Sequence, residues 1–345
     1  MQRTLGIFTG AAMAAALLAG CGKATPITSA TPTPAPTLQP KVSSEYPIPT
    51  ANAQPEGISR GADGSLWFVE TNTNKLAKLD KTATITEFPM PSANAGPVSI
   101  TTGPDQQLWM TEPGAGKVAR FSLSTFTFTE VTLPNAAAKP TGIATGLDGN
   151  LWVTDPGANG IWKIAPSSTP PYATTFYPLT TPNAQPGAIV YGPDSNLWFV
   201  ETAVSRIGKL NISGCSGGAC SVSETQVGAG AGLSSIANGS DGALWFTETA
   251  ADKIGRVTTN GVLTGEYPLA PLKAPVELVL GEDNNFYIAD QTGNQIGQFV
   301  PGTQAVKAYP VPTAAAAPYG ITLGPDGEVY FTEQAGNKIG QFLYF

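Results

Sequence analysis

The chain has 345 residues with 18 bases, 25 acids and no histidine, and 12 % of it is charged. The acidic balance excludes a nucleic-acid partner, which needs a basic surface, and the missing imidazole removes the usual general base and any Ser-His-Asp or Cys-His catalytic set. Gly and Pro, at 39 and 31 residues, fit many short strands joined by tight turns.

Residues 1–21 read as an export signal. Arg3 gives a minimal positive start, and Leu5 to Leu18 form an apolar stretch too short for a comfortable membrane span. The stretch ends in Leu18-Ala19-Gly20-Cys21, which resembles the lipobox of bacterial lipoproteins, so Cys21 is the expected lipidation site. Residues 22–41 follow as a stiff, extended tether, with Pro26, Pro32, Pro34, Pro36 and Pro40 among Thr, Ser and Ala. The expectation is an exported monomer, anchored by lipid to a bacterial membrane, with its globular part outside the cytoplasm.

Residues 42–345 hold 15 of the 18 bases against all 25 acids, a field that attracts cations or basic ligands. This region repeats seven times. Each copy has Gly-x-Asp, an aromatic four residues after the Asp, and a carboxylate three residues later. The turn acids are Asp63, Asp105, Asp148, Asp194, Asp241, Asp283 and Asp326, spaced 42 to 47 residues apart. The aromatics are Trp67, Trp109, Trp152, Trp198, Trp245, Tyr287 and Tyr330, all read as packing. The carboxylates are Glu70, Glu112, Asp155, Glu201, Glu248, Asp290 and Glu333.

One copy reads as four strands, at residues 140–145, 151–154, 161–164 and 173–178, with Asp148-Gly149 as a hairpin turn. Second strands such as Leu66-Trp67-Phe68-Val69 are apolar on both faces, as expected between two neighbouring sheets. Seven such units predict an all-β fold, a seven-bladed β-propeller of four-stranded antiparallel blades. The last copy ends at Phe345 after its third strand, while Ser44 to Pro49 look like the outer strands elsewhere, such as Thr86-Glu87-Phe88-Pro89. Residues 42–48 are therefore expected to complete the last blade and leave no raw edge. Cys215 and Cys220 fall in the longest copy and are expected to close a disulfide at a hairpin tip in an oxidising compartment.

In a propeller the first strand of each blade lines the central channel. Each opens with Pro-x-Gly-Ile or a variant, and its x residue is expected at the channel mouth. Copies that depart from the pattern are the informative ones, which singles out Glu56, Glu277 and Tyr319; together with Thr141, an x residue at the mouth, they are the candidate ligand-binding residues, for a small molecule, glycan or protein. The seven carboxylates ending the second strands are expected to ring the same mouth further out. They suit a hard cation such as Ca2+ or Mg2+. The competing reading is that each accepts backbone N–H groups of its own turn, which is favoured because an acid present in every copy suggests architecture.

Asp241-Gly242-Ala243-Leu244-Trp245-Phe246-Thr247-Glu248 with Lys253-Ile254-Gly255-Arg256-Val257 closely resembles the virginiamycin B lyase (streptogramin lyase) family. So do Leu66 to Glu70 and Asn337-Lys338-Ile339-Gly340, and the likeness spans roughly residues 43–345. The resemblance implies a seven-bladed propeller. It also implies a Mg2+-assisted elimination that opens a cyclic depsipeptide at its ester. The family's two histidines, at the x of late Pro-x-Gly/Ala-Ile motifs, fall on Val276 and Tyr319, and an acid falls on Ala317. An elimination needs a base. The expectation is thus a non-catalytic binding module at the channel mouth. The alternative is a divergent, Mg2+-dependent lyase in which Glu277 takes the base's place.

Overall fold

The Gly-x-Asp turn organises every blade. Asp63 Oδ1 accepts the Ser65 N–H at 3.1 Å and the Trp67 indole N–H at 3.0 Å, so one side chain fixes both the hairpin and the aromatic four residues on. Where the aromatic is tyrosine the direction is kept: the hydroxyls of Tyr287 and Tyr330 donate to Asp283 and Asp326 at 2.8 Å. The residue after the Asp takes a left-handed φ, near 72° at Gly64, Gly149 and Gly242, where glycine carries no steric penalty. Gln106, Ser195 and Asn284 adopt the same turn without glycine.

The computed structural model describes residues 39–166, 170–216 and 219–344; Cys21, the apolar stretch and the tether up to residue 38 lie outside them. The described strands form seven four-stranded antiparallel sheets. In the copy spanning 140–180 they are Ile143–Thr145, Leu151–Asp155, Gly160–Ala165 and Ala173–Pro178, close to the expected bounds. Every second strand is buried along its whole length, because blades cover it on both faces. The core accordingly sits between blades: Trp109 and Val118 of one pack with Val153 and Trp162 of the next, and Phe68 and Ile58 of the first with Tyr330 and Ile339 of the last. Burying each such large side chain contributes about 1.5–3 kcal/mol. The innermost strands of successive blades touch in a closed ring, the last against the first.

Closure uses the N-terminal strand. Lys41–Pro47 pairs antiparallel with Lys338–Leu343 and completes the seventh sheet as its outermost strand. Asn337 reinforces the seam: its Oδ1 accepts the Ala53 N–H at 2.7 Å and its Nδ2 donates to the carbonyls of Ile48 and Thr50. Blades are also stitched side by side by threonines. Thr111 Oγ1 donates to Thr141 O, and Thr332 Oγ1 to Glu56 O, at 2.7 and 3.0 Å. In the fourth blade the third and outermost strands, Arg206–Ser216 and Ala219–Gln226, run long, and Cys215 and Cys220 are disulfide-bonded across them. The cysteines lie on this extended hairpin rather than on a separate loop.

Candidate functional site

Five of the seven innermost strands begin with a β-bulge. In the first blade Pro55 pairs with Glu70 and Ile58 with Phe68, so Glu56 and Gly57 together oppose Val69. The same shift separates Pro186 from Ile189, Leu233 from Ile236, Pro275 from Leu278, and Pro318 from Ile321. A bulge re-aims side chains, and in the fifth and sixth blades two successive residues turn inward where the sequence suggested one. Both Val276 and Glu277, and both Ser234 and Ser235, line one cavity of about 360 Å³ to which all seven blades contribute. The backbones converge closely there. A side chain at Gly57 would stand 2.7 Å from Val98 O, and one at Gly142 would collide with Gly187 O.

The structure brings Glu56, Thr141, Glu277 and Tyr319 into that cavity. Glu277 is half-buried, and its Oε2 accepts the Ile321 N–H of the next blade at 2.9 Å. Burial pushes its carboxyl up to about 7, helped by the charge of Glu56 and opposed by that N–H. Burial likewise pushes Glu56 up to about 7 against hydrogen bonds from Gln54 and Thr71. Burial, then Glu56 and Glu277, raise the Tyr319 phenol to about 12. The Thr141 hydroxyl lies 3.3 Å from Thr154 Oγ1 and 3.4 Å from Pro186 O. No Lys or Arg lines the cavity, so its two carboxyls face each other without a resident counter-charge.

The seven repeated carboxylates do not ring an open mouth. Each is buried inside its own blade, 0–1 % exposed, because it sits at the end of a second strand covered on both sides. Among the described residues no group of three or more His, Cys, Asp or Glu is placed to hold a metal ion. Asp155 and Asp290 do act as turn acceptors. Asp155 accepts the N–H groups of Lys139 and Ala158 and the Trp162 indole, at 2.8–3.0 Å. Asp290 accepts those of Lys273 and Gly293 and the Gln295 amide, at 2.7–3.2 Å. The five glutamates differ. Glu112, Glu201, Glu248 and Glu333 find no donor at either oxygen, and Glu70 finds only the Thr73 hydroxyl.

Sequence reasoning missed the companions of these glutamates. Beside each stands a second glutamate on the outermost strand, exemplified by Glu130 next to Glu112, salt-bridged to Lys117 at 2.6 Å. The signal was present. Lys or Arg follows five residues after every one of the five glutamates, whereas Gly160 and Gln295 follow the two aspartates.

The model of the virginiamycin B lyase family matches residues 38–216 and 126–344. A solved streptogramin B lyase structure is 31 % identical, covers 87 % of this chain and 96 % of its own, and superposes with a TM-score of 0.80. Virginiamycin B lyase from Staphylococcus aureus is 28 % identical over 88 % of this chain and 99 % of its own, with the same TM-score of 0.80. A histidine-to-alanine variant of that enzyme, described as catalytically inactive and crystallised with quinupristin, matches equally well, with a TM-score of 0.80. No curated protein matches the chain. With the repeat, the ring of seven blades and both matches of the family model spanning nearly all of it, the chain belongs to the virginiamycin B lyase family.

Proposed function

We propose that the chain is an envelope-tethered lipoprotein whose propeller binds a small molecule in the seven-blade cavity and does not turn it over. The carrying observation is the absence of histidine from all 345 residues. In the Staphylococcus aureus enzyme, replacing a single histidine by alanine goes with an inactive protein that is still found with quinupristin. Here Val276 and Tyr319 stand where the family places its histidines, and both line the cavity. Two facing carboxyls with no Lys or Arg among the lining residues favour a ligand that brings a positive charge. The apolar and aromatic remainder, Val276, Leu233 and Tyr319, favours a hydrophobic body around that charge.

Pro47 pairs with Lys338 at the cavity end of the seventh blade, and Lys41 pairs with Leu343 at the opposite end. The chain thus enters the propeller away from the cavity.

A second reading, a divergent lyase, rests on Glu277, whose carboxyl is held at about 7 and faces the cavity. Such a group suits proton abstraction near neutral pH. Glu56 and Glu277 are the two carboxyls that would hold a Mg2+ ion in this cavity, where it would supply Lewis-acid polarisation of the ester. Incubating the purified chain with a streptogramin B and Mg2+ separates the two readings. Intact antibiotic with calorimetric binding supports the binding module. Ring-opened product that disappears in Glu277→Gln overturns it. Labelling with radioactive palmitate or glycerol, lost in Cys21→Ser, tests the anchor.

A further inference from the structure

We infer that each of the five buried glutamates holds a proton in the folded chain and shares it with the glutamate on its blade's outermost strand, so that the propeller is firmest in mildly acidic surroundings and loosens as these protons leave.

Hydrogen-bond supply argues for the protons. A buried carboxylate without donors is expensive, and the group neutralises instead. Six backbone or side-chain donors serve Asp155 and Asp290 together. By contrast, Glu112 and Glu201 have none at any oxygen. What stands beside each glutamate is another carboxyl, which is an acceptor unless one of the two carries a proton. With the proton, the inner acid can donate to the outer carboxylate, which gives one of its two oxygens a partner and removes the buried charge from the other.

Charge arithmetic agrees. In four of the five trios the outer carboxylate is ion-paired with the trio's own cation: Glu87 with Lys75, Glu130 with Lys117, Glu224 with Arg206 and Glu45 with Lys338. Glu130 bonds Lys117 at 2.6 Å, the Ser92 N–H at 2.8 Å and the Ser92 hydroxyl at 2.9 Å. Glu87 does the same with Lys75 and Thr50, and Glu45 with Lys338 and the Thr313 N–H. One proton, two carboxyls and one cation make each trio neutral. The titratable neighbours are Glu87 and Lys75 for Glu70, and Glu130 and Lys117 for Glu112. They are Glu224 and Arg206 for Glu201, Glu266 and Lys253 for Glu248, and Glu45 and Lys338 for Glu333. When the inner proton passes to solvent, two carboxylates share one cation, and the inner one is 0–1 % exposed.

The sign of the pH dependence follows. Burial, then the outer glutamate's charge, pushes Glu112 from 4.5 up to about 7; Glu70, Glu201 and Glu248 also move to about 7 and Glu333 to about 8. Between the ordinary and the raised values the folded chain binds more protons than the unfolded one, so stability falls as pH rises through that window. Glu45, Glu87 and Glu130, each held below its ordinary value, act oppositely at lower pH. Despite burial, Lys117 and Ser92 hold Glu130 below its ordinary value, so these trios also weaken in strong acid.

The test uses the full chain. Glutamine mimics a protonated glutamate: it is neutral and its amide donates. The triple variant Glu112→Gln, Glu201→Gln, Glu248→Gln is expected to melt near the parent at about pH 5 and at least ~5 °C above it at about pH 8. Equal pH slopes in parent and variant, or a variant weaker than the parent at both values, overturn the inference. Infrared spectroscopy provides a readout that leaves the five trios intact. In a Glu56→Gln, Glu277→Gln background, which silences the cavity acids, the carbonyl band of protonated carboxylic acid should be present at about pH 6 and gone by about pH 9. Its absence at the lower pH overturns the inference.

Discussion

Glu112 and Glu277 are both glutamates that burial pushes to about 7, and their surroundings give them opposite meanings. Glu112 is fully buried inside the second blade, beside Glu130 and Lys117, and has counterparts in four other blades. Glu277 occurs at its position in one blade alone, reaches to the backbone of the next and faces a cavity shared by seven. A perturbed titration therefore does not by itself mark a site. Repetition identifies the architectural acid, because a ring of equivalent blades poses the same packing problem in each. Departure from the repeat identifies the acid that can meet a ligand.

The strongest way to break this picture is to open the ring. Removing residues 42–49 strips the outermost strand from the seventh sheet and exposes the edge of Lys338–Leu343. Cooperative melting should be lost, and an unchanged melting curve would refute the clasp. Next in size is Trp198→Ala, which empties the interface between the fourth and fifth blades and should cost about 3–5 kcal/mol in denaturant unfolding. Asp155→Asn then sharpens the contrast between the two kinds of repeated acid. It disturbs three hydrogen bonds and should cost about 1–3 kcal/mol, whereas Glu112→Gln should cost nothing near neutral pH.

At the cavity the same carboxyl range gives the reverse pH response. With Glu277 held at about 7, cation binding should strengthen from about pH 6 to about pH 8 as the group ionises, while stability falls over that span. Glu277→Gln should weaken binding of a cationic ligand about tenfold by calorimetry at about pH 8 and leave melting unchanged at about pH 6, where the carboxyl is still protonated. The smallest effect is expected from reducing the Cys215–Cys220 bond. It braces the far end of one long hairpin, so global stability should change by about 1 kcal/mol, with faster hydrogen exchange confined to that hairpin.

Much of this molecule was legible because the constraints are local and recur. The Asp-to-aromatic spacing of four residues is one hydrogen bond written seven times, and Tyr46 with Pro47 copies the outer strands closely enough to announce the closure. Glu56, Glu277 and Tyr319 were visible as departures from their repeat.

What the chain could not disclose is where a side chain ends up once blades stack. The seven carboxylates share a position that, in an isolated sheet, points to the mouth; neighbouring blades bury it. Pro-x-Gly reads as one inward residue per copy, and the bulge in the sixth blade makes it two, which is how Glu277 comes to stand beside Val276 over the cavity. The partnership of Glu112 with Glu130 joins strands that are not adjacent in the sheet. Order along the chain sets the repeat and the count of blades. Desolvation and the pairing of charges depend on distances that exist only after the ring closes, and those alone decide which acids stay protonated and which face a ligand.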